Sequence, residues 1–89
     1  MKWVVFYGSG FESSARKLEK KLKNQLVKQI DFLESDPFHS KLHTKPLTGE
    51  LSGFYSFRIG RDYRVIFFFK EKAEIHLVKV AKRDEIYNR

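Results

Sequence analysis

The sequence predicts an α+β domain of order β-α-α-β-β-β, with a helical hairpin packed on one face of a small, mainly antiparallel sheet. Three observations predict it. First, Leu51 to Arg64 reads LSGFYSFRIGRDYR, and from Phe54 on it alternates: Tyr55, Phe57 and Ile59 share one parity, Ser56 and Arg58 the other. Residues two apart in a strand share a face. Second, apolar residues between Phe11 and Leu33 recur every three or four positions, which is the helical period. Third, the last three strand-like runs are joined by links short enough only for antiparallel hairpins. Helices that precede such a meander cover one of its faces.

The elements follow in order. Lys2–Tyr7 is a strand that Gly8-Ser9-Gly10 ends. Ser9 followed by Glu12 has the spacing of a capping box, so a helix begins near Gly10 or Phe11. One stripe runs through Phe11, Ala15, Leu18 and Leu22, a second through Leu22, Leu26, Ile30 and Leu33. Neither Gly nor Pro interrupts positions 11–36, yet Gln25 and Gln29 fall where the first stripe would continue. The reading is therefore two helices, about 10–19 and 21–34, with Asp36-Pro37 ending the second. Residues 36–50 form a long loop holding both prolines, His39, His43, Lys41 and Lys45, and loops of this length are often functional.

Three strands follow at about 53–59, 62–70 and 73–81, turning near Gly60–Arg61 and Glu71–Lys72. Lys82–Arg89 ends in a short helical turn. Parity assigns Tyr63, Val65, Phe67, Phe69, Val78 and Val80 to the core, with His76 as a partly buried structural residue beside them. Arg64, Ile66, Phe68, Leu77 and Lys79 face the other way. The open face would carry Ser56, Arg58, Arg64, Lys79 and, if the strand continues, Arg83.

The 89 residues suit a single domain, 1–89, and 42% hydrophobic content is enough for one core. A chain of this size buries roughly 60–65% of its unfolded surface. There is no Cys, which excludes disulfides, Cys-based zinc sites and thiol catalysis and fits a reducing cytoplasm. The apolar run Trp3–Tyr7 is too short for a signal peptide or a membrane span. Eighteen basic against eleven acidic side chains give a net charge of +7, which points to nucleic acid, an anionic membrane or an acidic protein as partner. The excess is uneven: residues 41–89 hold eleven basic and six acidic groups, residues 1–40 seven and five. The three histidines are too far apart for metal-ligand spacing, and no Gly-rich phosphate loop is present, so neither metal nor cofactor is expected.

The stretches KPLTGELSGFYSFRIGRDYRVIF at Lys45–Phe67 and KRDEIY at Lys82–Tyr87 resemble the RelE/ParE superfamily of bacterial and archaeal type II toxins. Members commonly carry PL-x-G-x-x-x-G-x-(Y/W)-x-x-R-x-x-x-x-YR followed by hydrophobic residues, and a C-terminal R-x-x-x-Y. The resemblance covers nearly the whole chain. It implies a RelE/ParE-like fold and a toxin neutralised by a cognate antitoxin protein. RelE-like members are ribosome-dependent, metal-free endoribonucleases that cleave mRNA, with basic residues on the open sheet face. The positions that match are Arg58, Arg64, Arg83 and Tyr87. ParE-like members instead inhibit DNA gyrase, and a degenerate member would only bind its antitoxin. The chain departs from the pattern at Ser56, where some members have Lys; at Lys45, where others have Glu; and at Lys82, where many have His. No general base is therefore inherited.

Metal-free RNA cleavage needs a base for the 2′-OH, cations for the phosphorane and an acid for the leaving 5′-oxygen. Arg58, Arg64 and Arg83 suit the second task, since a guanidinium offers a planar fork to phosphate oxygens. Tyr87 is a candidate acid or stacking platform. Lys45, Lys79, Lys82 and His43 are candidate RNA contacts; Lys82 beside Arg83 is a candidate base, as is His43, which is otherwise a plain loop residue. The plainer alternatives are ion pairs of Arg58 and Arg64 with Asp62 and Glu74, a Tyr87 packed on the sheet edge, and lysines 17, 20, 21, 23 and 28 as a solvated helical face. The leading expectation is an mRNA-cleaving toxin working with ribosome and mRNA in the cytoplasm. A gyrase inhibitor is the alternative.

Overall fold

The computed structural model describes residues 2–87, Tyr87 through its backbone only. The elements are β1 (Val4–Tyr7), α1 (Ser9–Arg16), α2 (Lys20–Ser35), β2 (Lys45–Pro46), β3 (Tyr55–Ile59), β4 (Tyr63–Lys70), β5 (Glu74–Lys82) and α3 (Arg83–Tyr87). The sheet order is β1-β5-β4-β3-β2. β1 runs parallel to β5, and all other pairs are antiparallel. The predicted strand, helical hairpin and three-strand meander are all present. The segment 36–50 adds what alternation could not show: two 3-10 turns and the two-residue β2, which pairs with Tyr55 and Ser56.

α1 starts at Ser9, not at Gly10 or Phe11, and Gly8 occupies the N-cap without a side-chain cap. Packing, not a capping box, sets this start. A Cβ on Gly8 would sit 2.8 Å from the Leu77 carbonyl oxygen, and one on Gly10 2.9 Å from that of Val78. The turn from β1 into α1 thus runs directly against the β5 backbone. Ser14 completes the junction. Its Oγ accepts from the Val80 N–H at 2.8 Å and donates to the Gly10 carbonyl at 2.8 Å. It serves a β5 amide that lies past the last β1 pair, Tyr7 with Leu77. Ser14→Ala leaves that amide without its partner and is expected to destabilise the fold by about 1–3 kcal/mol. Thermal denaturation would show it as a fall of at least about 4 °C; an unchanged Tm would mean that the contact carries no weight.

The helices do break between residues 16 and 20, close to the predicted position, but Gln25 and Gln29 lie inside α2. They are polar because they meet the sheet edge, as described below. α2 buries Leu26, Ile30 and Leu33, and Phe11 and Leu18 join them over Phe57, Ile59, Val65, Phe67, Ile75, Leu77 and Val80.

Two expectations about the sheet need correction. β5 contains an irregularity: Ile66 faces Lys79, whereas Phe67 faces Leu77. Val78 is the additional residue, and one extra residue reverses the facing of everything on its far side. Leu77 is therefore in the core, and Val78 packs on the opposite face. His76 moves with it. Its ring stacks between Phe6 and Phe68, with centroids 4.7 and 5.0 Å away, and its Nε2 lies 3.0 Å from Glu74 Oε1.

The second correction concerns the face away from the helices, which is not open at its centre. Leu47, Ile66, Ala81 and Ile86 form a small buried cluster there, flanked by Leu51, Phe54 and Val78. The segment 47–54 and α3 roof this part of the sheet. Among the described residues no helix is long and apolar enough to cross a membrane.

Candidate nucleic-acid interface

The register of β3 and β4 places Arg58 directly opposite Arg64 on the face away from the helices. The two side chains differ in environment. Arg64 is 1% exposed beneath the roof, and its Nη1 donates to the His43 carbonyl at 3.1 Å. Arg58 is half-buried and lines an open cleft.

That cleft lies between α2 and the free edge of β3. It has a volume of about 240 Å³ and is lined by Gln25, Lys28, Gln29, Lys41, His43, Arg58 and Gly60. Gln29 braces it. Its Nε2 donates to the Arg58 carbonyl at 2.7 Å and to the Lys41 carbonyl at 2.9 Å, joining helix, 3-10 turn and strand edge through one amide. His43 follows the turn Ser40–Leu42 with a left-handed φ of 50°. It stands two residues before Lys45, the partner of Ser56, so its backbone reaches the β3 edge beside Arg58. Among the described residues no carboxylate lines the cleft.

The predicted site residues are thus brought together in part. Arg58, Arg64 and His43 converge. Lys45 and Lys79 are exposed at opposite ends of one cross-sheet row, Lys45–Ser56–Ile66–Lys79, on the face of Arg58. Arg83 is exposed as the first residue of α3, tethered by its N–H to the Asp62 carbonyl at 2.7 Å. Lys82 stands apart. It pairs with Tyr63 on the helix-covered face and lines a different pocket with Ser14 and Lys17, while its N–H donates to Glu85 Oε1 at 3.1 Å. The Tyr87 side chain lies outside the described residues.

The alternative ion pairs fare poorly for Arg58: among the described residues neither Asp62 nor Glu74 pairs with it, and Glu74 is engaged by His76. Tyr7, on the far edge strand, has its phenol pushed up, by burial first and then by Glu34 and Asp31, so it stays protonated and is no base. The residue that sequence reasoning missed is Gln29. Its signal was present as a polar interruption of an apolar stripe.

Comparison with known proteins matches this geometry. No curated protein is detectably similar in sequence. The structure of the RelBE2 toxin–antitoxin complex from Mycobacterium tuberculosis superposes with a TM-score of 0.78 at 22% identity, covering 93% of this chain and 100% of that one. The archaeal RelE–RelB complex from Pyrococcus horikoshii gives 0.77 at 26% identity, with 93% and 97% covered. YafQ from E. coli gives 0.78 at 15% identity, with 96% and 98% covered. The family described as the YoeB-like toxin of bacterial type II toxin–antitoxin systems matches residues 9–84. With its fold, its basic strand edge and this match in agreement, the chain belongs to the YoeB-like toxins of type II toxin–antitoxin systems.

Proposed function

We propose that this toxin is a ribosome-dependent endoribonuclease that cuts mRNA with side chains alone. The observation that carries the reading is Arg58, opening onto a cleft that among the described residues holds Lys28, Lys41 and His43 but no carboxylate. A phosphodiester set there gains a planar fork of donors.

In the proposed reaction the 2′-oxygen attacks phosphorus, its proton passes to a base, and the 5′-oxygen leaves with a proton from an acid. Arg58 meets the phosphate, and Arg83 approaches it from the start of α3. Arg64 holds the His43 turn from within. His43 is the imidazole at the strand edge, and imidazoles are the commonest general bases. Tyr87 is the proposed acid or stacking ring. Lys45 and Lys79 meet flanking phosphates, and Lys82 serves as a more distant RNA contact. The partners are the ribosome and mRNA in the cytoplasm, and a cognate antitoxin whose negative charge complements the net +7. The structural neighbours include toxins bound to such antitoxins, which supports that partner. No observation favours gyrase as the target.

The test is primer extension on a defined mRNA in a reconstituted translation system, with purified protein, with and without ribosomes. Cuts that need ribosomes are expected. Intact message with unimpaired translation would sink the reading.

A further inference from the structure

We infer that the cleft between α2 and the β3 edge is a second phosphate subsite, which takes the RNA backbone next to the phosphate at Arg58. The inference rests on the proposed RNA-cutting role and extends it to side chains on the helix and the 3-10 turn.

The character of the cleft selects its ligand. At about 240 Å³ it falls below the range of small-molecule pockets, which start near roughly 300 Å³ and are mostly apolar. Among the described residues every lining side chain is polar, Gly60 having none, and Lys28, Lys41 and Arg58 contribute positive charge with no acid beside them. The backbone carbonyls of two lining residues, Arg58 and Lys41, are already engaged by Gln29. A ligand therefore meets chiefly donors, as an anion requires. Lys41 is also placed in advance: its Nζ lies 6.0 Å from the centroid of the Phe32 ring, within cation–π range. Lys28 is exposed on α2 and free to turn inward. Because Arg58 lines the same cleft, a strand held at Arg58 continues into it without crossing solvent. Single-stranded RNA is the favoured source of these phosphates, and a ribosomal RNA helix is the other.

The test is RNA binding by purified protein without ribosomes, measured from low to moderate salt. The probes are a single-stranded oligonucleotide and a hairpin duplex. The variant is Lys28→Ala/Lys41→Ala, and Lys20→Ala/Lys23→Ala is its control, removing the same charge from α2 outside the cleft. The cleft pair should weaken binding to the single strand and lower the slope of log K against log salt by about 1.4, two contacts at about 0.7 each. The control pair should do markedly less. A larger loss on the hairpin would uphold the subsite and assign it to the ribosomal helix. Equal losses from both pairs, or none from either, would overturn it. Cleavage is not read here, so failure of the subsite leaves the nuclease reading standing. Conversely, failure to cut on ribosomes leaves the subsite standing.

Discussion

Arg58→Ala is expected to slow ribosome-dependent cleavage by about 10²–10³-fold, the usual loss when one preorganised donor to a developing oxyanion is removed. Folding should barely respond. The group that Gln29 holds is the Arg58 carbonyl, not the guanidinium, so the brace survives the substitution. Tm should stay within about 4 °C of the parent. Arg58→Lys should fall between the two, because it restores charge without the bidentate fork. Full activity in a folded Arg58→Ala protein would remove this residue from the reaction.

Arg64 is expected to behave differently, because it is buried. Arg64→Ala empties a fully enclosed site and takes the donor away from the His43 carbonyl. Loss of a large buried side chain costs about 2–5 kcal/mol, which for a domain of this size corresponds to a Tm lower by about 8 °C or more. Arg64→Met separates the two roles. Met refills most of the volume but still takes the donor from the His43 carbonyl, and removing one partner of a buried charge costs stability, so this variant should melt below the parent and above Arg64→Ala. It should nevertheless cut poorly, because the His43 turn is no longer anchored. A Met variant that keeps both Tm and cleavage would show that the arginine is dispensable.

The contrast between these arginines shows how far the sequence could be read. Alternation in YSFRI and YRVIFFFK placed both on one face, and that placement stands. The burial around Arg64 was not legible: Leu47 and Ile86, which cover the neighbouring Ile66 and Ala81, lie in segments that look like a loop and a tail until they fold over the sheet. Parity failed in β5 for a physical reason. Leu77 and Val78 are both apolar, so nothing in the pattern marks where the extra residue enters. β2 is two residues long and contains a proline, below what any periodicity can show. Gln29 was legible as an anomaly, but its acceptors lie 12 and 29 residues away, and only the packed structure names them.

The parallel pairing of β1 with β5 bears on when the fold can close. Residues 4–7 are made well before their partners, residues 74–77. Contacts so distant in sequence form late and slow the search for the fold. Until β5 has emerged, β4 has neighbours on one side only and the core over it is incomplete. A chain that lacks residues 74–77 therefore has the strands of Arg58 and Arg64 but not the neighbour that completes the sheet around them.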